Sequence, residues 1–391
     1  MSDIIKMTKK NLKDIDKPIA IISSIFFAFG LLNVLSASSE TVARYNAPIF
    51  HFMQRHAFFL AIGLLIFLFV ININTKKMYE IAVLAFGGAF FLNVLVVLIG
   101  QVHKGNLNWL PTGGQPSEFA KPAIILLTAM LFDKHYHRLK SPKIKLQENG
   151  KLIAIILSIL FIIPLVVILF QMDAGGGGLI GLISVCIFLA SPIKRSDKKT
   201  LIIGATVVGL FLGMYMAVNS TGMFGPNQMN RLTNFKDPCS DYENWGFQVC
   251  NSFIAINEGG IFGVGLGNSA QKHSYIPDAH TDMVFAIIAE EIGFVGSSLI
   301  IIFMFYILKR SLSIANNAAN IRGRYIALGF SFYMFFHIFI NLGGLLAVIP
   351  LTGVPLPFFS YGGSFTISFI TGLSLLQRVH IESVRKKVKI K

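Results

Sequence analysis

The residues of this chain best suited to chemistry lie in Gly259–Glu291. There Pro277-Asp278-Ala279-His280-Thr281-Asp282 runs straight into apolar sequence, so carboxylates and a histidine stand where a polar loop meets a hydrophobic helix. An ionisable group at such an edge is costly to desolvate, which makes it a functional candidate. Asp282 could act as a general base or ligate a cation. The alternative is helix capping, open equally to Thr281 and Asp282. His280 could tune that carboxylate, meet a phosphate, or be structural. Glu290 and Glu291 follow within the apolar run, and helical spacing brings one of them near the Asp282 face. Two acids there must face protein or water. A structural pair neutralised by Lys121 or another buried base is the competing reading.

Further candidates lie elsewhere in the chain. Arg231 and Lys272 sit in polar sequence where positive charge is scarce, and would suit a phosphate-bearing ligand as well as they would suit a solvated loop. In Gln115–Lys121, Ser117 fits an N-cap, and Glu118 and Lys121 have the i, i+3 spacing that puts two side chains on one helix face. Trp109 just before it is either an interfacial anchor or part of a sugar or lipid site. The prolines and glycines of Val354–Gly363, Ser360 among them, break helix geometry at a depth where only protein or a cavity can cover bare backbone. Asp173 before Gly175–Gly178 marks another break. The GxGxG of Gly263, Gly265 and Gly267 has no βαβ unit around it and is no dinucleotide site. Cys239 and Cys250 share one polar loop, where a disulfide is open to them.

The elements that position these residues are membrane helices. The chain is 54% hydrophobic and only 14% charged, well below the ~25% charged residues of soluble domains. Its apolar runs predict an all-α, polytopic single domain over 1–391 with ten spans: 18–36, 57–74, 79–100, 117–134, 152–171, 177–193, 201–219, 283–308, 324–347 and 357–379. Most of the 34 Lys and Arg then fall on one side, in the tail 1–17, the alternate loops and the basic tail 380–391. That distribution makes both termini cytoplasmic, and it explains the net charge of +15 without nucleic acid. The N-terminal run is read as an uncleaved first span rather than a signal peptide. The large external loop, 220–282 between spans seven and eight, is rich in aromatics and is expected to fold back onto the bundle mouth.

Three segments together, Gln115–Lys121, the Gly263–Ser269 run followed by Gln271-Lys272 and Pro277–Glu291, and Pro350–Ser364, resemble the SEDS family (RodA, FtsW and SpoVE) in its order over nearly the whole chain. The resemblance implies a peptidoglycan glycosyltransferase that polymerises lipid II at the outer face of a bacterial cytoplasmic membrane, paired with a class B penicillin-binding protein and divisome proteins. The family's essential aspartate falls on Asp282. Trp109, Glu118, Lys121, Arg231 and Lys272 match positions or neighbourhoods that the family uses. A divalent cation, Mg or Mn, could assist. The Gly265–Ser269 segment looks more like the FtsW division branch than the RodA elongation branch. The chain departs from the family at Asn106 and Asn108, at Asp173-Ala174-Gly175-Gly176, at Asn251-Ser252 and at Pro277-Asp278. A lipid-linked precursor flippase is the rival from another class, kept open by Glu290 and Glu291. A non-catalytic scaffold is a third reading.

Overall fold

The computed structural model describes residues 2–44, 46–103, 106–111, 113–141, 146–203, 238–241, 246–273, 276 and 279–390. The predicted seventh span beyond residue 203, and Arg231 with it, lie outside these. The described chain is mostly helical: α1 (Ser2–Lys13), α2 (Lys17–Ala37), α3 (Ser39–Arg44), α4 (His51–Asn72), α5 (Tyr79–Ile99), α6 (Pro116–Lys140), α7 (Leu146–Leu169), α8 (Ala174–Ala190), α9 (Phe247–Gly259), α10 (Val284–Asn316), α11 (Ile321–Leu345) and α12 (Gly363–Ile390). One departure from an all-α chain is a small antiparallel hairpin, Gln101–His103 with Asn106–Trp109, which pairs Val102 with Leu107.

Helix starts follow local chemistry. Asp16 accepts from Ile19 N at 3.1 Å ahead of Pro18, Asp173 accepts from Gly176 N at 2.8 Å, and Asn320 accepts from Gly323 N at 2.7 Å. Each satisfies a donor that the first helical turn leaves open. Six helices are long and apolar enough to cross a membrane: α2, α4, α5, α7, α10 and α11. They make this a polytopic membrane protein. The other expected spans differ for physical reasons. Helix α6 carries Glu118 and Lys121 among buried residues, α8 has only 17 residues, and α12 begins at Gly363 rather than 357 and includes Gln377 and Arg378.

Burial sorts the helices into centre and rim. Only 22% of the apolar window of α4 and of α5 is covered by protein, so Leu64, Leu65, Leu84 and Leu98 present an apolar surface suited to lipid. In α11 the covered share is 67%, and that helix lies at the centre with α6 and α12 beside it. Phe330, Tyr333, Phe365 and Phe369 stack in this core, and Phe358 bridges to Phe26 and Phe27 of α2.

Two glycines allow close approaches. A Cβ on Gly30 of α2 would lie 2.2 Å from the carbonyl oxygen of Phe358. Phe358 itself has φ +73, a left-handed conformation costly for a bulky residue and held here by packing on α2. Gly293 bends α10 with φ +69 and leaves its hydrogen-bond ladder broken. The loop after α9 repairs the break: Val264 N and Gly265 N donate to the oxygens of Glu290 and Glu291, while Phe294 N and Val295 N donate to those of Gly260 and Ile261. Gly30→Ala is expected to cost about 3 kcal/mol, seen as a lowered thermal midpoint in detergent. Gly87→Ala, with nothing within 4 Å of the added methyl, should match or exceed the wild type. Equal midpoints for all three proteins would refute the close approach.

Candidate functional site

Asp282 is half-buried immediately before α10, yet it does not cap that helix. The cap position is Met283, with no side-chain cap hydrogen bond, so the capping alternative for Thr281 and Asp282 is not realised. Thr281 Oγ1 instead donates to Asp282 Oδ1 at 2.8 Å. Asp282 Oδ2 takes no hydrogen bond among the described residues, and Gly353, with φ +74, would bring a Cβ to 3.6 Å from it. The glycine thus lets the 350–362 segment lie against the carboxylate.

That segment is held by α11. Asn341 Nδ2 donates at 2.8 Å to the backbone oxygen of Asp282 and at 2.8 Å to that of Val354, tying the aspartate to the loop. One turn earlier His337 Nδ1 lies 3.0 Å from Pro355 O, and its Nε2 lies 3.1 Å from Lys121 Nζ. An ammonium only donates and a carbonyl only accepts, so this imidazole is neutral with its proton on Nδ1. Lys121 also meets Glu118 Oε1 at 2.7 Å, the pairing that i, i+3 spacing predicts, with both side chains almost fully buried. Ser368 Oγ donates to the Glu118 backbone oxygen and contacts the Tyr333 hydroxyl at 3.2 Å.

Other sequence candidates join this site through backbone. His280 is buried, its ring 4.7 Å from Phe52 and 5.3 Å from Tyr361, and its carbonyl accepts from Tyr361 N at 2.8 Å. Ser360 Oγ accepts from Leu356 N at 2.7 Å and closes the turn beside it. Gly175 at the start of α8 packs against Thr352 O. The α8 cap, Asp173, accepts from Asn108 Nδ2 at 2.8 Å, which ties the second hairpin strand to the start of α8. Trp109 ends the second hairpin strand, half-buried and paired with Gln101.

The acids of α10 look away from this centre. Glu290 accepts from Ser269 Oγ at 2.5 Å and from Ala270 N at 2.7 Å. Glu291 accepts from Ser36 Oγ at 2.5 Å and pairs with Lys272 at 3.5 Å. Lys272 is buried, and also donates to Gly267 O at 2.5 Å and Ser36 Oγ at 3.1 Å. The basic partner of Glu291 is therefore Lys272 and not Lys121, Glu290 is held by Ser269 and loop amides, and the lysine expected at a phosphate secures the glycine loop to α2 and α10. Cys239 and Cys250 are joined as a disulfide ahead of that loop. Arg231 lies outside the described residues. His337 and Asn341 join the site as well, and the signal that marks them is two polar residues four apart on one face of an apolar helix.

A bundle of apolar helices with a half-buried acid at a helix entry, framed by an irregular loop and a buried acid–lysine–histidine relay, defines a membrane-embedded protein with a polar site at its edge. The sequence model of the FtsW/RodA/SpoVE family, described as cell cycle protein, matches residues 17–385, and the chain belongs to that family. It is 32% identical to the probable peptidoglycan glycosyltransferase FtsW of Bacillus subtilis (strain 168), over 95% of this chain and 92% of that one. It is also 32% identical to stage V sporulation protein E of the same organism, over 95% and 98%. Among solved structures, one described as the structural coordination of polymerization and crosslinking by a peptidoglycan synthase complex superposes with a TM-score of 0.70 at 24% identity, over 94% of this chain and 97% of that one. The rod shape determining protein RodA of Thermus thermophilus gives 0.62 at 23%, over 94% and 96%. At such identities these two likenesses speak for the fold.

Asn341→Leu, close in size, leaves two buried carbonyls without their donor and should lose about 2 kcal/mol or more. His337→Gln, which can donate to Pro355 O and accept from Lys121, should stay within about 1 kcal/mol of wild type, and His337→Leu should not. Thermal unfolding in detergent measures both; identical midpoints for His337→Gln and His337→Leu would remove the relay.

Proposed function

We propose that this chain is a peptidoglycan glycosyltransferase. It polymerises lipid II into glycan strands at the outer face of a bacterial cytoplasmic membrane, for the septal wall, and releases undecaprenyl diphosphate. The observation that carries the reading is Asp282: a carboxylate at the edge of the apolar helices, not spent on helix capping, with one oxygen oriented by Thr281 and the other without a hydrogen bond among the described residues. Full-length likeness to relatives named as probable peptidoglycan glycosyltransferases supports the reaction, and their FtsW name supports the division branch over a RodA-like elongation role.

The chemistry follows from that placement. Asp282 takes the proton of the acceptor sugar's 4-hydroxyl, the freed oxygen bonds to the anomeric carbon of the donor, and the bond from that carbon to the diphosphate breaks. Such a base needs hydrogen-bond reach and a fixed direction. Asn341 fixes the backbone of Asp282, and Thr281 fixes one carboxylate oxygen. Arg231 is assigned to the leaving diphosphate as a bidentate donor. Lys121, Glu118 and His337 support the loop that faces the aspartate, and Lys272 secures the glycine loop. The half-buried Trp109 is assigned to the surface on which the disaccharide lies, and the buried His280 and Ser360 hold the turn beneath it. Among the described residues no three His, Cys, Asp or Glu side chains gather as metal ligands. A Mg2+ or Mn2+ ion held by Asp282 Oδ2 and substrate phosphates fits the one carboxylate oxygen without a hydrogen bond there, and would neutralise the diphosphate.

Ten spans with both termini cytoplasmic put this site on the outer side, where lipid II presents its sugars. A class B penicillin-binding protein and the divisome are the partners that fit a polymerase of this branch; the structure described for a polymerising and crosslinking synthase complex supports such a pairing. Glu290 and Glu291, the acids that kept the flippase reading open, are bonded to the glycine loop, Ser36 and Lys272, which favours the polymerase.

Purified protein, with and without its transpeptidase, should convert lipid II to glycan strands. Asp282→Asn and Asp282→Ala, folded as judged by thermal unfolding, should lose about 100-fold or more in rate. Full activity in Asp282→Asn would overturn the assignment, and lipid II translocation without strands would restore the flippase.

A further inference from the structure

The far end of the bundle carries a second polar centre unconnected with the chemistry above. Asp16, fully buried, caps α2 and accepts from Arg310 of α10 at 2.5 Å, with His380 of α12 3.9 Å away. With its charge met by Arg310, Asp16 itself lines a cavity of about 190 Å3 together with Arg310, Ser313, His380, Ser383 and Lys387. Arg310 Nε is buried and has no hydrogen-bond partner among the described residues. Lys387 makes no ion pair among them. Asp14, the other nearby acid, is taken by Arg385 at 2.8 Å. Burial, helped by Arg310 and Lys387 and opposed by Asp16 and Asp14, holds His380 below the usual histidine range. The negative end of α10 adds little, since Ser313 O already accepts from Asn317 N and Nδ2.

An open surface hollow along one face of α10 shares Ser313 and Asn317 with that cavity and includes Phe305, Leu308, Lys309 and Leu312. Phe305, Leu308 and Leu312 fall three and four apart, so they form one apolar stripe leading from the cationic end toward the middle of the span. A free phosphate or nucleotide has no use for that stripe; an amphiphile does.

We propose that this groove binds an anionic phospholipid, its headgroup phosphate between Arg310 and Lys387, with Lys309 at the rim and an acyl chain along Phe305, Leu308 and Leu312. The leaflet rests on the topology proposed above, which makes it the cytoplasmic one, where positive side chains meet anionic headgroups. Because α12 and α10 both reach back to the 350–364 loop and to Asp282, a lipid seated here joins the cytoplasmic ends of the two helices that flank the candidate site.

Native mass spectrometry of the full chain in detergent tests this, with phosphatidylglycerol and phosphatidylcholine of matched chains as probes. Wild type should retain phosphatidylglycerol about tenfold over phosphatidylcholine. Lys387→Gln should weaken retention about fivefold, and Lys309→Gln/Lys387→Gln about 25-fold. Leu312→Asn should weaken it with the charges intact. Unchanged thermal midpoints would show that these surface variants fold. Equal retention of the two lipids, or none of these losses, would overturn the proposal. Displacement by millimolar inorganic phosphate, with Leu312→Asn behaving as wild type, would overturn it in favour of a free-anion site. No polymerase assay enters, so failure of the glycosyltransferase reading leaves this result standing. Lys387→Cys in a Cys186→Ser background, labelled by an impermeant maleimide from outside intact cells, would overturn the topology and with it the leaflet.

Discussion

A polar group inside a bilayer has no water to fall back on, and the interior of this protein is arranged around that constraint. Buried charges meet partners inside the protein: Lys121 meets Glu118 on its own helix and His337 of α11, Glu291 meets Lys272, and Asp16 meets Arg310 of α10. Replacing one member would strand the other, and breaking such a pair costs about 3–5 kcal/mol. The pairs therefore fix which helices can be neighbours. Non-helical backbone obeys the same rule. The 350–362 segment survives at depth because Asn341, His337 and Ser360 take up its carbonyls and amides, and that coverage lets a loop rather than a helix face Asp282.

The functional centre is accordingly an assembly of backbone edges more than of side chains. Asp282 is aimed by what holds its main chain. Asn341 binds it to Val354, Gly353 supplies the left-handed backbone (φ +74) of the facing loop, and the Tyr361 amide holds the preceding His280. A catalytic carboxylate gains from such a mount, because the direction of proton transfer is set before a substrate arrives. The aromatic packing of Phe358 and Phe359 against α2 carries the mount into the core.

What the sequence could convey was local. Apolar runs marked α2, α4, α5, α7, α10 and α11, the i, i+3 spacing of Glu118 and Lys121 announced their pairing, and the passage from Thr281 to Val284 marked the edge where Asp282 stands. Long-range partnership was not legible. Lys272 read as a phosphate ligand because nothing nearby in sequence says that Ser36 and Glu291 claim it. The start of α12 was placed too early because the residues of 357–362 are apolar enough for a span, and only the contacts of Phe358, Phe359 and Ser360 keep them irregular. Nothing local to Gly293 marks the bend of α10, since its role depends on a loop segment some thirty residues earlier in the chain.

The repair of the α10 break has a consequence for biogenesis. In the bent helix the carbonyls of Glu290 and Glu291 no longer meet the amides of Phe294 and Val295, and only residues 260–265, once docked, satisfy all four. The helix can enter the bilayer straight, but its bent form exists only once the preceding loop has folded back onto it. Maturation of this protein thus has an order: insertion of α10 comes first, closure of the loop over it second, and the carboxylate at the head of that helix takes its final bearing last.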